Sequence, residues 1–278
     1  MTIFEGKKLA LEKEEILKEK LPRLGFKPKL AVILVGNDRA SKIFVDLKEK
    51  AAQRVGVEFI RKDFPEAVEY SELVGFIENS NKDISILGIM IQLPFPSQSS
   101  IINYQSSVLD SINPKKDVDC LTSENLGLLM AGKPRFLPAT VRAVVEIIHN
   151  SELKIKNSNV VIVGGSILVG KPLAMVLSDI GATVTICRSQ TEDLEKFTKE
   201  ADILISATGE PDLITGDMIK EGAVVIDVGS PKGDVNFDEV SKKASFITPV
   251  PGGVGPLTVV SLFENLIAKA ENYGFIRG

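Results

Sequence analysis

The stretch Asn159–Pro172, NVVIVGGSILVGKP, constrains this chain more than any other. Val160, Val161, Ile162 and Val163 form an unbroken β-branched run, the pattern of a strand buried on both faces. Gly164 and Gly165 then permit a tight turn, and helix-compatible residues follow from Leu168 to Leu177. Strand, glycine turn and helix together aim free backbone N–H groups and the positive end of a helix dipole at one point, which suits a phosphate. Two readings fit: a dinucleotide site, or an ordinary strand-to-helix turn of an α/β domain. The glycines do not complete a G-x-G-x-x-G, because Ser166 and Val169 take two of its places. The rest of the chain has to decide between the two.

Alternation of continuous apolar runs with helical periodicity extends along the whole chain. Lys29–Val35 (KLAVILV), Val57–Phe64 and Ile84–Leu93 read as strands. Helices are expected from about Glu5 to Leu24, from Lys42 to about Arg54 with Ser41 as N-cap, and from Tyr70 to Asn79. Thr140 is the expected cap of a helix reaching Asn150. Strands then fall at Asn159–Val163, Thr183–Cys187, Asp202–Ala207, Ala223–Val228 and Ser245–Val250, and a last helix runs from Leu257 to about Glu271. Buried strands separated by helices predict right-handed βαβ units and a doubly wound parallel sheet. A length of 278 residues accommodates two domains.

Composition removes several classes of function. A net charge of −4 provides no global basic field for nucleic acid or anionic lipid. No apolar run is long enough to span a bilayer, and MTIFEGKKLALEKEE lacks the apolar core of a signal peptide. Cys120 and Cys187 make no disulfide framework, and the single histidine, His149, makes no metal or triad cluster. The expected location is the cytoplasm, with no metal.

Within this frame a few side chains invite chemistry. Phe44 and Lys48 are four apart on the helix that follows the first long strand, at the end of a parallel sheet where ligands bind. Lys48 reads as a solvated surface charge or as an ammonium partly desolvated beside Phe44, with a lowered pKa. Gln92 closes an otherwise apolar strand before Leu-Pro-Phe-Pro and needs a partner if buried. Asp117 and Asp119 lie in KKDVDC; loop aspartates mostly shape turns, but Asp119 is also a candidate acceptor for a polar ligand. Arg188 and Ser189 follow the second strand of the later half, where arginine favours a 2′-phosphate, so NADP is expected ahead of NAD. PVPGGVGP, Pro249–Pro256, sits between a strand and a helix. Its Pro251, Gly252 and Gly253 either let backbone approach a ligand or form a rigid linker.

These segments resemble the methylenetetrahydrofolate dehydrogenase/cyclohydrolases, the bifunctional FolD type. The likeness rests on LAVILVGNDRAS, the helix bearing Lys48, GIMIQLPFP, KDVDC, VVIVGGSILVGKP, IKEGAVVIDVG and ITPVPGGVGPLTV, in family order along nearly the whole chain. It implies a two-lobed α/β protein: residues 1–135 with 257–278 as a folate-binding catalytic lobe, and 136–256 as a Rossmann-type lobe for NADP. The last helix would return to the first lobe. It implies oxidation of 5,10-methylenetetrahydrofolate with NADP and hydrolysis of the product to 10-formyltetrahydrofolate, within the one-carbon metabolism that feeds purine biosynthesis. Lys48 matches the catalytic lysine, Gln92 its glutamine partner and Asp119 the acid that anchors the pterin. Gly164, Gly165 and Ser166 match the dinucleotide turn, and Ser230 a further cofactor contact. Homodimers are implied.

Three positions depart from the family pattern. Phe44 stands where tyrosine is usual in Y-x-x-x-K, which implies weakened hydrolysis. Cys120 replaces the glycine of KDVDG, and Gly165 stands where many relatives carry arginine. Two alternatives remain beside the resemblance: a non-catalytic dinucleotide-binding sensor, and another two-lobed dehydrogenase of the shikimate type. Lys48, Gln92 and Asp119 together argue against the first, and the second gives no reason for PVPGGVGP or for Gln92 before LPFP.

Overall fold

Continuous apolar runs become buried parallel strands in the computed structural model, which describes residues 1–272. The elements in chain order are β1 (Thr2–Ile3), α1 (Gly6–Lys20), β2 (Lys29–Val35), α2 (Arg39–Val55), β3 (Glu58–Phe64), α3 (Tyr70–Lys82) and β4 (Ile86–Ile91). Then come α4 (Gln105–Asp110), α5 (Ser123–Met130), α6 (Ala139–Asn150), β5 (Asn159–Val163), α7 (Gly170–Ile180), β6 (Thr183–Cys187) and α8 (Leu194–Thr198). The chain ends with β7 (Ile203–Ser206), β8 (Val224–Asp227), α9 (Phe237–Val240), β9 (Phe246–Ile247) and α10 (Val254–Asn272). No described helix is long and apolar enough to cross a membrane.

The chain divides into two compact units. One holds Glu12–Leu128, Pro134–Ala139 and the chain from Leu262 on. Its sheet has the order β3-β2-β4, all parallel, with Ile33 of β2 opposite Ile91 of β4. Leu30 to Val35 are all buried, which is why this strand reads as unbroken hydrophobicity rather than alternation. The end of α10 packs against β4: a Cβ on Gly88 would lie 2.7 Å from a Leu266 methyl and 2.8 Å from Val118. Glu264 of α10 also pairs with Lys13 of α1 at 3.0 Å. The last helix thus returns to this unit, as expected. Residues 273–278, the tail of the expected first lobe, lie outside the described residues.

The other unit holds Met1–Leu11, Leu129–Lys133 and Thr140–Ser261. Its six-stranded sheet has the order β1-β9-β8-β7-β5-β6, and every pairing is parallel. From β5 the chain goes to β6 on one side and then crosses to β7 on the other. The carboxyl end of β5 is therefore a topological switch point, where open α/β sheets bind ligands. One face of this sheet closes over Val161, Val163, Leu204, Val225 and Ile247, packed with Ile214, Ile219 and Val240.

Two helix starts differ from expectation. α2 begins at Arg39, not Lys42, because Asp38 rather than Ser41 is the N-cap: its carboxylate accepts the Ser41 N–H at 2.7 Å. α6 begins at Ala139, ahead of Thr140, and its Ala139 N–H is met by Asp119.

Candidate active site

The Asp38 cap fixes where α2 starts and hence which of its residues face inward. Ser41, Val45, Lys48, Ala52 and Val55 form the buried stripe, at helical spacing. Lys48 is thus a lysine in an apolar row, only 6% exposed. Its ammonium donates to Gln92 Oε1 at 2.8 Å. Gln92 follows β4 directly, and its own N–H continues the sheet by donating to the Ile33 carbonyl at 2.8 Å. The Gln92 amide nitrogen donates to the Leu93 carbonyl, also at 2.8 Å, so the amide oxygen faces the lysine. Phe44 lies one turn before Lys48 and is half-buried.

The two loop aspartates have separate tasks. Asp117 is buried and accepts from the Thr122 N–H at 2.8 Å and from Asn125 Nδ2 at 2.9 Å, so it shapes its own loop. Asp119 accepts the Ala139 N–H at 3.2 Å, at the amino end of α6 where a negative charge is favoured. Burial lowers the Lys48 pKa to about 8, against the attraction of Asp119. Burial raises the Asp119 pKa to about 6, opposed by Lys48 and the Ala139 N–H and reinforced by Asp117. A buried ammonium and a carboxylate thus titrate on either side of neutrality, an arrangement suited to proton handling. Among the described residues no group of His, Cys, Asp and Glu has the makings of a metal site.

In the six-stranded unit the glycine turn follows β5. Gly164 has φ +118, and a Cβ there would overlap the Ala207 carbonyl at the end of β7. The Ser166 hydroxyl accepts the Val169 N–H at 3.2 Å, and Ser189 and Ser230 are exposed at the ends of their strands. In PVPGGVGP the Gly252 carbonyl accepts the Lys7 N–H at 2.9 Å, and Gly253 donates to the Pro249 carbonyl at 2.8 Å. The loop is therefore braced at one end while Gly252, at φ +110, has open space where a Cβ would project.

Two family models match this chain. The catalytic domain of the tetrahydrofolate dehydrogenase/cyclohydrolases covers residues 4–119, and the NAD(P)-binding domain of the same enzymes covers residues 138–274. The chain belongs to the tetrahydrofolate dehydrogenase/cyclohydrolase family. It is 43% identical to the bifunctional protein FolD of Nautilia profundicola, over 98% of each chain. The FolD crystal structure from Campylobacter jejuni superposes with a TM-score of 0.92 at 41% identity, covering 98% of this chain and 99% of that one. A Trypanosoma brucei FolD, complexed with NADP cofactor and inhibitor, superposes with a TM-score of 0.93 at 34% identity, covering 98% of each chain.

The departures from the family pattern have local physical consequences. Cys120 has φ +59, a left-handed conformation that glycine adopts without strain, and it is fully buried. Burial, with Asp117 and Asp119 close by, raises its thiol pKa, so it packs as an inert apolar group. A Cβ on Gly165 would lie 2.6 Å from Arg188 Nε. The Arg188 side chain thus occupies the space that a residue at 165 would take.

One contributor escapes sequence reading altogether. Asn265 of α10 is buried and donates to the carbonyls of Val118 at 2.9 Å and Leu137 at 2.8 Å. It joins the segment holding Asp119 to the segment whose Ala139 N–H binds that carboxylate. Nothing in a helix 147 residues further along the chain signals this contact.

Proposed function

We propose that this protein oxidises 5,10-methylenetetrahydrofolate to the 5,10-methenyl form with NADP, then hydrolyses that product to 10-formyltetrahydrofolate, in one-carbon metabolism. The observation that carries this is the Lys48–Gln92 hydrogen bond beside Asp119, with both ionisable groups displaced toward neutrality. The unit with the smaller sheet, including the end of α10, acts as the folate lobe, and the six-stranded unit as the dinucleotide lobe. The deciding experiment is a steady-state assay with NADP and with NAD, following the methenyl product and its hydrolysis separately. No turnover despite tight cofactor binding would instead identify a sensor.

In this reading Asp119 accepts from the amino and ring N–H donors of the pterin, and Pro251, Gly252 and Gly253 offer backbone to the substrate. Loss of hydride from a carbon between two nitrogens leaves a delocalised cation, so this step depends on positioning more than on acid or base. Bound NADP supplies the hydride acceptor. The residues present fit it: the amino end of α7 lies against the Gly164 turn, where a Cβ on Gly170 would overlap the Gly164 carbonyl, and Arg188 has no ion pair among the described residues. Arg188 would meet the 2′-phosphate, with Gly165, Ser166, Ser189 and Ser230 lining the same site. Replacing Arg188 by alanine is expected to cut the NADP-over-NAD preference in kcat/KM by about tenfold or more; an unchanged ratio excludes this role.

Hydrolysis requires water to attack the methenyl carbon and lose a proton, which neutral Lys48 accepts while Gln92 holds it in place. Phe44 keeps a ring near the substrate but has no hydroxyl to orient that water or the amine. Phe44→Tyr is therefore expected to raise hydrolysis about fivefold and to leave dehydrogenation within about twofold. Full wild-type hydrolysis that tyrosine does not improve would contradict this.

The protein acts as a homodimer in the cytoplasm. Both cysteines are buried free thiols, as a reducing compartment allows, and β6 is an edge strand with half-buried Val184 and Ile186. A solution mass of one chain would overturn the dimer.

A further inference from the structure

We infer that Asp227 and Asp234 are positioning residues that hold the dinucleotide-facing loops of the six-stranded unit, an inference that rests on the NADP reading above. Asp227 ends β8 and Asp234 follows seven residues later; they are 3% and 0% exposed. Asp227 accepts the N–H groups of Gly229 at 2.8 Å, Asp234 at 3.1 Å and Val235 at 3.0 Å. Asp234 accepts from the Ser206 hydroxyl at 3.0 Å and from the N–H groups of Thr208 at 2.6 Å and Gly209 at 3.1 Å. Neither carboxylate forms an ion pair among the described residues.

Two buried anions side by side, with no cation, are costly. Burial, with Asp234 adding repulsion, raises the Asp227 pKa to about 6. Stability alone gives no reason to keep both acids, since a neutral side chain of similar shape would avoid the desolvation. What the pair provides is direction. Each carboxylate gathers three donors, and together they tie the loop after β7, the turn after β8 and the return segment 233–235 into one block. The packing leaves no slack: a Cβ on Gly229 would overlap Asp234 Oδ1, and one on Gly233 would lie 2.5 Å from Asp227 Oδ2.

This block borders the cofactor turn. The residue between Ser206 and Thr208 is Ala207, whose carbonyl closes directly on Gly164. The Ala207 N–H in turn donates to the Val163 carbonyl at 2.8 Å, at the end of β5. Asp234 therefore sets the wall against which the Gly164 turn is folded. Asp227 sets the path of the chain through Gly229 to Ser230. Both loops lie at the carboxyl ends of strands next to the switch point, where a dinucleotide is held.

The test is a titration of NADPH by its fluorescence against wild type, Asp234→Asn and Gly229→Ala. The asparagine keeps the shape but turns an amide toward a backbone donor. The alanine keeps the charge and displaces it. Each is expected to weaken NADPH binding about tenfold or more. In turnover the KM for NADP rises likewise, while the KM for the folate and kcat at saturating NADP stay within about threefold. Unchanged NADPH affinity in either folded variant overturns the inference, whatever happens to the melting temperature. Equal losses in folate and NADP parameters also overturn it, because a general loosening of the fold would produce that. If wild type itself does not bind NADPH, the cofactor reading fails instead.

Discussion

Lys48→Met is expected to slow hydrolysis of 5,10-methenyltetrahydrofolate by at least about 100-fold and to slow dehydrogenation less. The two steps ask different things of the lysine. Hydride removal leaves a cation that the folate ring system spreads for itself. Water addition produces a proton that needs a base, and Lys48 is a buried amine with its pKa lowered to about 8. Roughly a tenth of it is neutral at pH 7, against well under one part in a thousand for an ordinary lysine. Hydrolysis should accordingly rise with pH to a plateau above about 8, with a much flatter profile for dehydrogenation. Methionine fills the same buried space without a charge, so the fold should survive. Linkage gives an independent check. The folded pKa lies below the unfolded one, so between about pH 8 and 10.5 the unfolded chain binds more protons and wild-type stability rises with pH. Lys48→Met should lose that rise. Undiminished turnover of both steps would remove Lys48 from the mechanism, and an unchanged stability profile would remove the lowered pKa.

The features that could be read in advance are those that local chemistry determines. KLAVILV and NVVIV had to be buried strands, because a parallel sheet covered on both faces leaves no polar alternation. Lys48 and Phe44 could be placed on one helix face by spacing alone. What escaped depends on partners distant in the chain. β1 has two residues, both exposed, and exists only because Thr2 and Ile3 find Phe246 and Ile247. The start of α6 follows from Asp119, twenty residues earlier, rather than from Thr140. Asn265, Asp227 and Asp234 look like ordinary polar residues in sequence, and only the fold gathers their donors and acceptors. Asp119 stood out in the sequence as the candidate acceptor, but the loop-shaping task of Asp117 rests on its bonds to Thr122 and Asn125, which only the fold brings to it.

Asp119→Asn is expected to weaken folate binding about 100-fold while making the protein more stable at pH 7. The first effect follows from losing an anionic acceptor for pterin donors. The second follows from the cost of keeping this carboxylate ionised. Its pKa is about 6 in the fold against an ordinary 3.8, so the folded state holds its proton longer as pH rises. Below about pH 4 the acid is neutral in both states and carries no penalty. Between about pH 4 and 6 the penalty grows, and above about 6 it is complete, at most about 3 kcal/mol. Asparagine removes it and retains an oxygen for the Ala139 N–H. Part of the gain is cancelled at Lys48, which loses the attraction that offsets its own burial. The hydrolysis profile of the variant should therefore shift below the wild-type midpoint of about 8. Urea melts at pH 7 and at pH 4 decide the matter: the variant's advantage should appear at the first and vanish at the second. An advantage equal at both, or none at pH 7, would mean that Asp119 is not held against its solvation preference. Its role would then have to be argued from hydrogen bonding alone.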